Sequence, residues 1–390
     1  MKKFLSVALA VVMVLATLLS FASCSGNADG FKPVDKKDLK IGMITLHDDS
    51  STYDKNFIEA MYRALENLGL SKDQLILYTG IPETEDCYNK AKACANDGCQ
   101  VVFADSFGHE DFLIQAAQEF SSVRFCHATG TKAHTLGLDN FSNAFASIYE
   151  GRYLAGIAAG MKLNEMINAG TIKAEEAVMG YVGAFTYAEV MSGYTSFYLG
   201  AKSVCPSVTM KVRFTGSWYD TDKEAAAASA LIKDDKCVLI SQHADSYGAP
   251  NTCEELKVPN VSYNGSTEAQ GPNTYIVSSK IDWTPYFEYM INCVIKGEKI
   301  DADWVGTIKT GSVKLEAVNA KVAAKGTQEA IDAAKAQLEA GTLNVFDVAK
   351  DNFITVDGKK LDSYKADVDY DDKFEHETEV VANGVFAESK

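Results

Sequence analysis

In this chain, clusters of polar and aromatic residues follow one short apolar run after another, and these are the residues best placed to do chemistry. His47-Asp48-Asp49-Ser50-Ser51-Thr52-Tyr53-Asp54 follows the run at 39–46, Asp105-Ser106-Phe107-Gly108 the run at 100–104, and His127-Ala128-Thr129-Gly130 closes the run at 123–127. Ala184-Phe185-Thr186-Tyr187, Trp218-Tyr219-Asp220, Gln242-His243-Ala244-Asp245-Ser246 and Asn264-Gly265-Ser266 repeat the arrangement further along. Such sets suit recognition of a flat heterocycle. Aromatic rings cover its faces, while Asp, Ser, Asn and His satisfy edge amino groups, ring nitrogens or attached hydroxyls. The candidate ligand contacts are Tyr53, Asp54, Asp105, Ser106, Phe107, Phe185, Trp218, His243, Asp245, Ser246 and Asn264. Several have structural alternatives: Asp48, Asp54 and Asp220 precede helical patterns and could serve as N-caps, and Trp218 could be core.

Catalysis finds no support. The chain has six histidines and no GxSxG, Walker, GxGxxG or HExxH motif. His243, Asp245 and Ser246 have the residue types of a triad, but within four residues on one strand end their side chains point in alternating directions and cannot form a relay. No catalytic residue, cofactor or metal site is expected.

The elements needed to position these clusters are legible as a pattern. Strand-like runs at 39–46, 74–78, 100–104, 123–127, 178–182, 209–214, 237–242, 258–263 and 275–279 alternate with helix-period segments at 55–68, 87–96, 110–120, 190–203, 222–233 and 285–296. This alternation predicts parallel sheets built by right-handed crossovers, with ligands bound beyond the C-terminal strand ends. A long helix predicted over 144–166 interrupts the rhythm. Its small residues permit close packing, and Arg152 and Lys162 flank too short an apolar stretch for a membrane span. A further helix is predicted over 327–338. The expectation is an α/β protein of two doubly wound parallel-sheet lobes joined by a hinge, with residues 39–142 plus about 274–298 in lobe 1 and 143–273 plus about 299–390 in lobe 2.

Composition bounds the partners. With 47% hydrophobic and 10% aromatic residues the chain has material for a large core. A net charge of -16 and a pI near 4.9 argue against nucleic acid or anionic lipid as a partner. Residues 1–23 have a basic start, an apolar core and small residues before Cys24, the pattern of a secretory signal. Ala22-Ser23-Cys24 looks like a bacterial lipobox, so Cys24 is expected to be acylated and residues 24–38 to form a tether. Each buried methylene of an acyl chain contributes about 0.8 kcal/mol, so two or three chains anchor stably. The expected location is the cell membrane, lipid-anchored and facing outside the cytoplasm. None of the other eight cysteines shows CxxC spacing, and they are expected to be mostly reduced.

Taken together, the lipobox, the two lobes, Tyr149-Glu150-Gly151-Arg152-Tyr153-Leu154-Ala155-Gly156 and Gly180-Tyr181-Val182-Gly183 resemble the basic membrane protein family of ABC-transporter substrate-binding lipoproteins. Ser106-Phe107-Gly108, His127-Ala128-Thr129-Gly130, Glu189-Val190, Trp218-Tyr219-Asp220 and His243-Ala244-Asp245-Ser246 are similar to one branch of it. The resemblance implies a type I periplasmic-binding fold that closes on a purine nucleoside or purine base and docks on an ABC permease with a cytoplasmic ATPase. It also implies that Tyr53 stacks on the base, that Asp54 stands where a nucleoside-binding relative has Asn, and that Asn264 stands where relatives carry an Asp toward the ribose. Asn264, and a Lys280 displaced by one position, leave a base without sugar open; riboflavin or a sugar is a further option. A ligand-sensing surface lipoprotein is the rival role.

Overall fold

The computed structural model describes residues 30–347 and short strands at Ile354–Val356, Lys359–Leu361 and Phe374–Glu375. The expected signal, Cys24 and most of the tail assigned to lobe 2 lie outside the described residues. The first sheet opens with β1 (Ile41–Ile44), β2 (Leu75–Tyr78), β3 (Val101–Ala104), β4 (Arg124–Ala128) and β5 (Phe141–Ala146). The second is built from β6 (Val178–Gly183), β7 (Thr209–Phe214), β8 (Leu239–His243), β9 (Asn260–Tyr263) and β10 (Tyr275–Ile281). The chain then returns to add β11 (Asp303–Gly306) beside β5 and β12 (Val313–Leu315) antiparallel to β10. The spatial orders are β11-β5-β4-β3-β1-β2 and β12-β10-β9-β8-β6-β7, parallel except at β12. Central strands such as β1, β3 and β5 are buried at every residue, as parallel strands covered on both faces must be.

The crossover helices are α1 (Thr52–Asn67), α2 (Glu85–Asn96), α3 (Glu110–Glu119), the single turn α4 (Ala133–Leu136), α5 (Ile148–Asn168), α6 (Ala188–Val204), α7 (Thr221–Lys233), α8 (Gly248–Leu256), α9 (Thr284–Lys296) and α10 (Thr327–Glu339). Cys87, Ala91, Leu113 and Ile114 from α2 and α3 cover one face of the first sheet, and Phe57, Met61, Phe287 and Met290 from α1 and α9 cover the other. Ala228, Leu231, Ala249 and Cys253 from α7 and α8 cover one face of the second sheet, with α5 and α6 on the opposite face. Close approach of α5 and α6 depends on glycine. An added Cβ at Gly156 would stand 2.0 Å from the Phe197 carbonyl oxygen, and one at Gly200 2.0 Å from that of Tyr153. Cys87, Cys94, Cys99, Cys126, Cys205, Cys237, Cys253 and Cys293 are buried and unbridged. Among the described residues no helix is long and apolar enough to cross a membrane.

Two lobes formed as expected, but their boundaries need correction. The segment 141–146, divided between lobe 1 and the start of a helix, is a complete strand of the first sheet, and the helix starts at Ile148. Strand β10, assigned to lobe 1, pairs with β9 in the second sheet, whereas α9 does lie on the first. β11, assigned to lobe 2, lies in the first sheet. A fully buried strand has no alternation to distinguish it from a buried helix, and its residues do not encode which sheet it joins. Within the described residues the chain thus crosses between lobes three times, at Ala146–Ile148, Ile281–Thr284 and Gly306–Val313. Asp282 sits at the second crossing and binds Arg63 at 3.2 Å and Lys314 at 2.7 Å. Burial works against its charge, but Lys314 and Thr284 outweigh it and hold the carboxyl below the usual range.

Candidate ligand-binding cleft

In the first sheet β1 has β2 on one side and β3 on the other, and in the second β6 lies likewise between β7 and β8. The loops leaving those strands part at each switch point and leave a crevice. The two crevices face each other around a cavity whose empty space, part of it open to solvent, is about 550 Å³. From the first lobe it is lined by Leu46, His47, Tyr53, Asp54, Ser106, Phe107, Thr129, Phe145 and Ala146, and from the second by Glu189, Trp218, His243, Asp245, Tyr263 and Ile281.

Local rules of helix entry place the first-lobe groups. Ser51 is the N-cap of α1 and accepts the Asp54 N–H, while its hydroxyl donates to Asp54 Oδ2 at 2.6 Å. The His47 N–H donates to Asp54 Oδ1 at 2.7 Å, and His47 Nδ1 lies 3.3 Å from Oδ2. Burial raises the Asp54 pKa, but the bonds from His47 and Ser51 more than offset this and hold it below the usual carboxylate range. At the second position of α1, the Tyr53 ring meets Phe57 edge-on at 5.0 Å and its hydroxyl donates to the Asp105 carbonyl at 2.8 Å. Ser106 donates to Glu83 Oε1 at 2.6 Å, and the Gly108 N–H donates to the same oxygen at 2.7 Å. Behind Thr129, the buried Glu110 accepts the Thr131 and Lys132 N–H groups at 2.9 Å and the Asn143 amide at 3.1 Å. Gly130 leaves room for this: a Cβ there would stand 2.2 Å from Glu110 Oε1.

The second lobe contributes an aromatic wall and a histidine–carboxylate contact. Trp218 packs against Phe185 at 4.9 Å and Tyr187 at 5.7 Å, and Tyr187 reaches across to Phe107 at 5.0 Å. His243 Nε2 lies 2.7 Å from Glu189 Oε2, Tyr263 donates to Glu189 Oε1 at 3.2 Å, and the His243 and Tyr263 rings lie 4.2 Å apart. Beneath them the fully buried Arg152 donates to the Ser241 hydroxyl at 2.8 Å and the Ser262 carbonyl at 3.2 Å. Its guanidinium stands 5.0–5.3 Å from the rings of Phe197, Tyr181 and Tyr263. Burial, followed by the charges of Asp54, Glu224 and Glu189, pushes the Asp245 carboxyl well up.

Of the residues singled out in the sequence, Tyr53, Asp54, Ser106, Phe107, Trp218, His243 and Asp245 meet at this cavity. Asp105, Phe185, Ser246 and Asn264 do not line it. Asp105 is fully buried behind the wall, where Oδ1 accepts the Leu46 N–H at 3.1 Å and Oδ2 has no partner among the described residues. Phe185 backs Trp218. The Ser246 hydroxyl accepts the Gly248 N–H at 3.1 Å at the start of α8. Asn264, at φ 62°, turns its carbonyl toward Asn56. Glu189, Tyr263, His47 and Thr129 belong on the wall and were not among the candidates. All but Tyr263 stand in the quoted motifs, and Tyr263 immediately precedes Asn264.

The lobes touch around the cavity. Asn56 Nδ2 donates to the Asn264 carbonyl at 2.6 Å, and the Thr52 N–H to the Asp245 carbonyl at 3.2 Å. His47 and Tyr219 rings meet at 5.1 Å. This is a closed cleft. Among the described residues the lining includes Asp54, Asp245 and Glu189 and no Lys or Arg. Among the described residues no group of three or more His, Cys, Asp or Glu could hold a metal ion.

Residues 41–343 match the family model described as ABC transporter substrate-binding protein PnrA-like. A purine-binding protein of Brucella abortus is 32% identical over 307 residues, covering 78% of this chain and 80% of that one. A Haloferax volcanii protein named for ABC transporter glucose binding is 32% identical over 240 residues, 61% of this chain and 57% of that one. An ABC transporter solute-binding protein of Conexibacter woesei has the same fold, with a TM-score of 0.63 at 21% identity, over 79% of this chain and 100% of that one. Two parallel-sheet lobes, three crossings and a cleft at the strand ends are the type I periplasmic-binding architecture, and the family is one of binding proteins and not of enzymes. The chain belongs to the PnrA-like family of ABC transporter substrate-binding proteins.

Proposed function

We propose that this protein captures a purine base or purine nucleoside outside the cytoplasm and presents it, lobes closed, to an ABC permease driven by a cytoplasmic ATPase. In this reading the mature chain is held at the membrane through acylated Cys24. The observation that carries the ligand assignment is the cleft itself: Tyr53 and Phe107 from one lobe face Trp218 from the other, with Asp54, Asp245 and Glu189 around them and no cationic side chain free of a carboxylate. A planar, uncharged, nitrogen-rich ring fits those surfaces, and the name of the Brucella abortus relative supports the same class. Asp54, Ser106, His243 and Asp245 are the edge contacts we assign; Asp105, Phe185, Ser246 and Asn264 support them from behind. Glucose is the second reading, because of the name of the Haloferax volcanii relative and because a sugar also stacks on aromatic rings.

Titration calorimetry on soluble protein starting at Ser25, with adenine, guanine, their ribosides, riboflavin and glucose, tests the assignment. A purine is expected to bind, and Tyr53→Ala is expected to weaken it roughly ten- to a hundredfold through lost stacking and burial. Trp304, which packs on Tyr286 at 5.1 Å away from the cleft, is the control: Trp304→Ala lowers thermal stability and leaves affinity within a few-fold. Binding of glucose or riboflavin with no purine response overturns the ligand class, and unchanged purine affinity in Tyr53→Ala overturns the stacking role.

A further inference from the structure

The positions of the cleft's protons say more about the ligand than its shape does. A carboxylate only accepts, so a group that donates to one has its proton fixed there and turns lone pairs elsewhere. The Ser106 hydroxyl donates to Glu83 Oε1 at 2.6 Å, and that oxygen also accepts the Gly108 N–H, so the bond has one direction. Tyr53 donates to the Asp105 carbonyl at 2.8 Å. Tyr263 donates to Glu189 at 3.2 Å, and His243 Nε2, 2.7 Å from the same carboxylate, directs its N–H toward it. Nδ1 of that ring faces the Tyr181 hydroxyl at 3.3 Å. What Ser106, Tyr53, Tyr263 and Glu189 offer a ligand is therefore acceptor lone pairs, added to those of Asp54. Among the described residues the side-chain donors left on the wall are Thr129, the Trp218 indole and the Asp245 carboxyl, whose protonated form burial favours.

We propose that the cleft selects its ligand by the ligand's own hydrogen-bond donors, taking uncharged purines with amino groups over oxo-substituted or phosphorylated ones. We further propose that Glu83, outside the wall, is a positioning residue that fixes the polarity of Ser106. This rests on the purine reading above. Glu83 reaches Ser106 because residue 108 is glycine; a Cβ there would stand 2.6 Å from the Glu83 carboxyl carbon. A ligand oxo group turned toward these lone pairs is left buried without a donor, a loss worth roughly ten- to a hundredfold in affinity. A phosphate would face the carboxyls of Asp54, Asp245 and Glu189 with, among the described residues, no Lys or Arg on the wall.

The test is a matched pair, 2,6-diaminopurine against xanthine, or their ribosides if the sugar is needed, at mildly acidic pH where xanthine is neutral. The proposal expects wild-type protein to prefer the diamino compound at least tenfold and to bind adenosine far more tightly than its monophosphate. In Glu83→Ala the acceptor is gone and the Ser106 hydroxyl can turn its proton to the ligand, so the preference should shrink several-fold. Ser106→Ala, which keeps the Glu83–Gly108 bond, should narrow it too and serves if Glu83→Ala does not fold. A merely structural role for Glu83 would weaken both ligands equally and leave their ratio unmoved. Equal binding or a preference for xanthine in wild type, or an unmoved ratio in the folded variants, overturns the inference alone. Failure of every purine to bind overturns the ligand reading beneath it and the inference with it.

Discussion

At the scale of single residues, two neighbouring carboxyls, Asp54 on the cleft wall and Asp105 behind it, are shifted in opposite directions. Asp54 is supplied with an N–H, a hydroxyl and an imidazole and stays ionised, whereas burial and then the Asp54 charge drive Asp105 well above its ordinary value. For Asp105 the sign follows from linkage. The unfolded carboxyl titrates near pH 4, so below that pH there is no penalty, and as pH rises toward the elevated folded value the native state loses stability relative to an uncharged substitute. Asp105→Asn keeps an acceptor for the Leu46 N–H and is therefore expected to raise the melting temperature progressively from about pH 4 to pH 8. Thermal scans across that range check it, and a gain that shrinks as pH rises contradicts it. These residues also show where the sequence stopped being legible. Clusters after strands 1, 3 and 8 do reach the cavity, but which member lines it depends on parity at the strand end. Side chains alternate, so Ser106 lines the cleft while Asp105 turns inward, and Asp245 lines it while Ser246 accepts the Gly248 N–H. At 263–264 the parity is broken by the left-handed backbone of Asn264, and the wall residue is Tyr263.

Between elements, the contact most exposed to single-residue change is that of α5 with α6. Gly156, Gly160 and Gly200 bring the backbones so near that an added methyl would lie 2.0–2.4 Å from a carbonyl oxygen. Gly200→Ala is expected to cost about 1–3 kcal/mol or more through forced separation of the helices. Chemical denaturation would measure it; a loss below about 0.5 kcal/mol, the usual effect of a surface change, would show that the helices can part freely. The same pair carries Arg152, whose bonds to Ser241 and Ser262 fix the floor under Tyr263 and His243, so damage here should also weaken ligand binding. The small-residue run 154–160 was readable because close helix packing demands it. Strand β5 was not readable: six buried residues in a row carry no period, and the boundary of the following helix was placed four residues early.

Across the whole molecule, function rests on two lobes joined by three crossings and closed by few direct bonds. Asn56 to the Asn264 carbonyl and Thr52 to the Asp245 carbonyl span the gap next to the cleft. Asn56→Ala removes one bond made only on closure, so affinity should drop about two- to tenfold while the ligand-free melting temperature barely moves. Equal affinity would mean that closure does not depend on that latch. Family membership and the two-lobed fold were legible from ordered motifs. Sheet membership of β10 and β11 was not, because the returning chain is assigned by tertiary pairing and not by local pattern. The most direct test of the central claim is to purify the soluble protein, denature it, and identify any released small molecule by mass spectrometry, with thermal shifts against purines, riboflavin and glucose as the companion readout. The account predicts a released purine base or nucleoside whose return at about a hundred times its dissociation constant stabilises the fold by roughly 2.7 kcal/mol. Release of a sugar or flavin, with no thermal response to any purine, would contradict it.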